Sequence, residues 1–166
     1  MMPKVVSYDP EEKEYRKRSV RDIRLFVSEN AVNDMIHHSE WGGGNEVMGL
    51  MVGRAYRDDG GTYVTVDKVI TSELISDDVS VRFDSENMSA LFDAIDGLDD
   101  RETVTGWYHS HPGFGCFMSE TDVRTHMGAF GDDRFAVVID PECKEIRAFG
   151  ITEGQVGDVQ FVIMED

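Results

Sequence analysis

Basic residues are scarce in this chain. Lys and Arg total 16 against 33 Asp and Glu, a formal net charge of −17. Such a surface repels phosphate backbones and anionic headgroups, so nucleic acid and membrane surfaces are not expected partners. Cysteine is nearly absent. Cys116 and Cys143 cannot build a disulfide framework, and the chain reads as cytoplasmic. No apolar run approaches the roughly 18 residues of a membrane span, and Met1-Met2-Pro3-Lys4-Val5-Val6-Ser7 forms no signal-peptide core. What is present suffices for a real core: 40 % of the 166 residues are hydrophobic, enough for one domain of ordinary size.

Residues 1–20 are polar and mixed in charge, and are expected to form a flexible N-terminal arm, with one domain over 21–166. Ser28 is a good N-cap for a helix that places Ala31, Val32, Met35 and Ile36 on one face and stops by Trp41-Gly42-Gly43-Gly44. Glu46–Gly53 is apolar after its first residue and reads as a buried strand. A turn at Arg57–Gly61 joins it to a β-branched partner over Thr62–Ile70. Asp84 or Ser85 opens a second helix, with Met88, Leu91, Phe92, Ile95 and Leu98 on its apolar face and a solvated acidic side. A strand at Thr103–His109, a Gly/Pro loop at Pro112–Met118 and a short helix from Ser119 follow. Three more strands are expected at Phe135–Asp140, Glu145–Ile151 and Val159–Met164. Several connections are too short for crossover helices. The expected fold is therefore α/β of the α+β kind, a mixed and mainly antiparallel sheet flanked by helices.

The chemistry concentrates in Gly106-Trp107-Tyr108-His109-Ser110-His111-Pro112 and in Ser119-Glu120-Thr121-Asp122. Strand geometry puts His109 and His111 on one face, close enough to share a cation. Asp122 falls in the first turn of the next helix, where the returning loop can bring its carboxylate to the pair. Two imidazoles and a carboxylate are the donor set of a catalytic zinc with a position left for water. Glu46 is a lone carboxylate opening an apolar strand, which is costly unless used or paired, and so is the candidate base. Ser119 and Asp122 also read as an ordinary helix start.

Glu46-x-x-Gly49-Leu50, then His109-Ser110-His111-Pro112, then Ser119-x-x-Asp122 together resemble the full JAMM motif of the MPN+ zinc metalloproteases. The run Gly106–Cys116 is especially similar to that of the proteasome-lid and signalosome members, and Val137-Val138-Ile139-Asp140-Pro141 extends the likeness. The resemblance covers roughly residues 22–152 and implies an MPN domain of cytidine-deaminase-like architecture with one Zn2+ per chain. It implies His109, His111 and Asp122 as zinc ligands, Glu46 as general acid/base for a zinc-activated water, and Ser119 as hydrogen-bond donor to the oxyanion. The implied reaction is hydrolysis of isopeptide or C-terminal fusion bonds of ubiquitin or a ubiquitin-like modifier, with association with a larger complex in view. Two other readings stand: a peptidase trimming a sulfur-carrier or ubiquitin-like protein, and a non-catalytic MPN scaffold. Phe117 departs from the Trp usual in those relatives. The chain also ends at Asp166, where eukaryotic members carry a docking extension, which fits a stand-alone prokaryotic member.

Other residues read more plainly. Cys116 is expected to pack under the loop and Cys143 to be a free thiol in a turn. His37 and His38 close a helix, where positive charge suits the dipole. His126, one turn past Asp122, reads as an exposed helix residue, with support of Asp122 as the alternative. The segment 73–83 joins a strand to the second helix and by analogy would lie along the substrate groove, where it could clamp an extended tail as an added strand.

Overall fold

The computed structural model describes residues 5–6, 23–76, 93–131 and 134–165. Their strands form one sheet in the order β1-β9-β2-β4-β3-β5-β6-β7-β8. These are β1 (Val5–Val6), β2 (Leu25–Ser28), β3 (Glu46–Asp58), β4 (Gly61–Ser76), β5 (Thr103–Ser110), β6 (Phe135–Asp140), β7 (Glu145–Thr152), β8 (Gln155–Val159) and β9 (Phe161–Met164). Among the described residues two full helices accompany them, α1 (Glu29–Trp41) and α2 (Glu120–Ala129). Most pairings are antiparallel. The exceptions among the described residues are β2 with β4, β2 with β9 and β5 with β6. The mixed, mainly antiparallel α+β architecture expected from the sequence is therefore present.

Helix α1 starts where the sequence places it. Ser28 is extended, and its Oγ accepts the Ala31 N–H at 3.1 Å. Ala31, Val32 and Met35 are buried from its inner face. They pack on Leu25, Val27, Met51, Val64, Val66, Tyr108, Val137 and Ile139, which form the core on one side of the sheet. The opposite side carries Met48, Leu50, Trp107 and Ala136, with Met118 and Phe130 against them. Period-2 alternation along β5 thus sends Tyr108 toward α1, and Trp107 and its period-2 mates toward α2.

Gly49 shows why a side chain is missing at one point of that face. It pairs with Tyr108 across β3 and β5, and the Tyr108 ring lies over it. A Cβ at Gly49 would sit 2.4 Å from the Tyr108 ring and hydroxyl. The hydroxyl meets His38 Nδ1 at 2.6 Å.

One strand carries no sequence expectation, and two expectations need correction. Leu25–Ser28 is a strand. With only three apolar residues before its cap it has no visible period, and it exists because β4 and β9 flank it. The expected strand Val159–Met164 is two strands. Glu153 and Gly154, at φ 52° and 78°, turn the chain so that β8 folds back on β7. After Gln160 the chain leaves for the far part of the sheet as β9, beside β2. The hairpin β3–β4 is also longer than expected and reverses at Asp59-Gly60.

The expected helix opening at Asp84 or Ser85 and the groove segment lie largely outside the described residues, although residues 93–96 are helical. The expected N-terminal arm also lies outside them, except that Val5 and Val6 pair with Met164 and Ile163. No helix among the described residues is long and apolar enough to cross a membrane.

Candidate metal centre

Three elements converge at the carboxyl end of β5. Antiparallel pairing sets Met48 opposite His109. Continuing that register brings Glu46, the first residue of β3, level with His111, just past the end of β5. The strands are stitched there by the Val47 N–H, which donates to Ser110 Oγ at 2.9 Å. On the other side the His111 N–H donates to the Ile139 carbonyl of β6 at 2.8 Å. The loop after Pro112 then returns the chain to α2.

Helix α2 begins with a complete capping box. Ser119 Oγ accepts the Asp122 N–H at 3.1 Å, and Asp122 Oδ2 accepts the Ser119 N–H at 2.9 Å. The box does more than start a helix. It orients the carboxylate so that the same Oδ2 lies 3.0 Å from His109 Nε2 and 3.2 Å from His111 Nε2. The ligand atoms of His109, His111 and Asp122 all lie within 4.8 Å of one another, and all three residues are buried. Glu46 Oε1 is 3.9 Å from His111 Nε2, and Glu46 is buried too. All five residues singled out in the sequence therefore assemble here, with Ser119 placed through its cap.

The electrostatics follow from burial around one carboxylate. Burial opposes charge on both imidazoles. It prevails at His109, whose pKa falls below the ordinary 6.5. At His111 the hydrogen bond and charge of Asp122, with Glu46 behind, outweigh it and the pKa rises. Burial would raise the Asp122 carboxyl, but its bonds with His109 and His111 hold it far below the usual carboxylate range. Two buried nitrogens facing one buried carboxylate form a concave set of lone pairs that suits a cation. Asp122 Oδ1 has no hydrogen-bond partner among the described residues. His111 Nδ1 lies 3.3 Å from the Gly115 carbonyl. A carbonyl only accepts, so Nδ1 carries a hydrogen, and Nε2 is the nitrogen that faces Asp122 and is left to ligate a cation. Two imidazole nitrogens and a carboxylate oxygen are donors that fit zinc.

The aromatic surroundings fix the ring planes. Trp107 stacks on His109 with centroids 4.4 Å apart and on Phe130 at 6.0 Å. The Trp107 indole N–H donates to His126 Nδ1 at 3.0 Å, and His126 Nε2 in turn donates to the Gly131 carbonyl at 3.0 Å. His126 is thus fully buried rather than exposed. It clamps the indole that backs His109. Its spacing, one helical turn after Asp122, was the available signal.

His38 likewise is buried against Tyr108 and Trp41, not simply placed at a helix end. Cys116 packs under the loop as expected, its thiol directed at the Val138 carbonyl at 3.2 Å. Cys143 is an exposed free thiol.

The family profile described as JAB1/Mov34/MPN/PAD-1 ubiquitin protease matches residues 19–129. The chain belongs to this family. Among JAB/MPN relatives, COP9 signalosome complex subunit 5 of Yarrowia lipolytica is 35 % identical over 122 residues, which is 70 % of this chain and 33 % of that protein. The 26S proteasome non-ATPase regulatory subunit 14 of Caenorhabditis elegans is 38 % identical over 120 residues, 70 % of this chain and 38 % of that one. The chain thus spans about a third of the length of the curated relatives it matches. A protein of Desulfitobacterium hafniense solved in solution superposes with a TM-score of 0.66 at 21 % identity, covering 86 % of this chain and 94 % of its own. That likeness establishes the JAB/MPN chain's fold and nothing finer.

Proposed function

We propose that this protein is a zinc-dependent metallopeptidase that hydrolyses isopeptide or C-terminal fusion bonds joining ubiquitin, or a ubiquitin-like protein, to its targets. Residues 21–166 form its one domain in this reading. The observation that carries it is the buried convergence of His109, His111 and Asp122 with Glu46 beside them, in a chain of the JAB/MPN family. Relatives named as signalosome and proteasome subunits support a ubiquitin-related role and association with a larger complex.

His109, His111 and Asp122 would hold one zinc ion. When bound, zinc supplies Lewis acidity that polarises a scissile carbonyl and makes water a stronger acid. Glu46 then takes the proton from the attacking water and delivers it to the departing amine. Ser119 Oγ accepts the Asp122 N–H through a lone pair, which leaves its hydroxyl hydrogen to donate to the oxygen on which charge develops. Phe117, tilted against His111 with centroids 4.7 Å apart, lines one side of that space.

The test is cleavage of a lysine-linked ubiquitin-like conjugate by the zinc-loaded protein, beside Glu46→Gln and a chelated sample. Cleavage lost in both controls, with zinc retained by Glu46→Gln, is the expected result. Release of a C-terminal peptide with the conjugate left intact would move the assignment to a trimming peptidase. Failure to take up zinc at all would overturn it.

A further inference from the structure

The loop from Pro112 to Met118 is tied down by a residue the proposed chemistry does not use. Asp140, the last residue of β6, is buried. Its Oδ1 accepts the Gly113 N–H at 2.9 Å and the N–H groups of Glu142 and Cys143 at 3.0 Å each. Its Oδ2 accepts the Gly115 N–H at 2.7 Å. One carboxylate thus collects four amides, two from the loop that carries His111 and two from the β6–β7 turn. Gly113 and Gly115 both stand at φ 80°, a left-handed conformation that side chains rarely adopt and that lets alternate amides face the same anion.

Gly115 is therefore held on both sides. Its N–H is fixed by Asp140, and its carbonyl accepts the His111 Nδ1–H. Carboxylates and carbonyls behind a ligating histidine set its tautomer and ring orientation. Here the two act in series. The Cys116 thiol, directed at the carbonyls of Val138 and Glu145, anchors the next residue separately. It does not itself fix Gly115.

We propose that Asp140 is a positioning residue for the metal centre: through Gly115 it fixes the Nδ1–H form of His111 and aims Nε2 at the bound cation. The inference rests on the reading that His111 is a zinc ligand. Asp140→Asn is the discriminating variant. Its side-chain oxygen can still accept the three amides at the Oδ1 position, but its NH2 would face the Gly115 N–H donor to donor. The perturbation falls on the one bond the proposal needs.

The experiment measures zinc affinity by chelator competition for the wild-type chain, Asp140→Asn and His111→Ala, together with 15N imidazole shifts of the zinc-loaded proteins. Asp140→Asn is expected to weaken zinc binding by about 10–100-fold. In wild type, His111 is expected to carry its hydrogen on Nδ1 and to bind through Nε2, and Asp140→Asn should show a second tautomer. Zinc affinity within about threefold of wild type and an unchanged His111 signature would overturn the proposal. If Asp140→Asn fails to fold, the wild-type spectrum decides: binding through His111 Nδ1 sinks the idea. If His111→Ala binds zinc as tightly as wild type, the ligand set is wrong. If His111→Ala loses zinc and Asp140→Asn does not, only the role of Asp140 fails.

Discussion

Gly49→Ala isolates one packing relation between β3 and β5, the strands that carry Glu46 and His109. The added methyl would lie 2.4 Å from the ring and hydroxyl of Tyr108. A flexible side chain could swing away, but Tyr108 is fully buried in the α1-side core and its hydroxyl is held at 2.6 Å by His38. Forcing a methyl into such a core costs about 1–3 kcal/mol, and loosening the hydrogen bond adds about 1 kcal/mol. The sum, about 2–4 kcal/mol, corresponds to roughly 4–16 °C in Tm for a domain of this size. The assay is urea unfolding of Gly49→Ala, Tyr108→Leu and the double variant. If the methyl meets the Tyr108 ring, its cost should shrink by about 1–3 kcal/mol once that ring is gone, a coupling typical of residues in contact. Equal cost in both backgrounds, or a cost under about 0.5 kcal/mol in wild type, would refute the reasoning.

Ser119→Ala should keep zinc yet lower turnover by about 10²–10³-fold if the hydroxyl serves the oxyanion. A loss confined to stability, near the ~1 kcal/mol of a helix cap, would leave Ser119 as a cap alone. An aromatic disulfide reagent at pH 8 should titrate one thiol in the folded protein and two after unfolding, because burial pushes the Cys116 thiol up to about 12 while Cys143 is exposed. Two fast thiols in the folded state would contradict the packing under the loop. Acid should also destabilise the fold through Asp140. Burial would raise this carboxyl, but the amides of Cys143, Gly113 and Gly115 hold it well below the ordinary 3.8. A depressed acid stabilises the fold above its unfolded pKa and loses that contribution as pH falls toward its folded one. The urea midpoint should therefore fall as pH drops below about 4, and fall less steeply in Asp140→Asn. Parallel pH profiles for the two proteins would exclude Asp140 as a source.

The ligand pattern was legible in the chain because it is local. His109 and His111 share a face by strand period alone, and Ser119 and Asp122 meet within one helical turn. Ser28 likewise announces α1, and Phe135–Asp140 reads as a buried strand from its apolar run. Other features had no local signal. Leu25–Ser28 is too short to show a period and is a strand only because two distant strands bracket it. The β7–β8 hairpin depends on a turn whose residues, Glu153 and Gly154, look ordinary in sequence. His126 could be placed one turn from Asp122, but its burial depended on where Trp107 would lie. The role of Asp140 was invisible because its partners are backbone amides from two loops, which composition does not record. Sequence by itself determined which donors exist and which neighbours along the chain face together, since period and capping are short-range properties. Only the tertiary structure decided that Glu46 stands level with His111, that Oδ2 of Asp122 reaches both imidazoles, and that Asp140 holds the loop. Each of these is set by sheet register and by burial, which arise when segments far apart in the chain exclude water together.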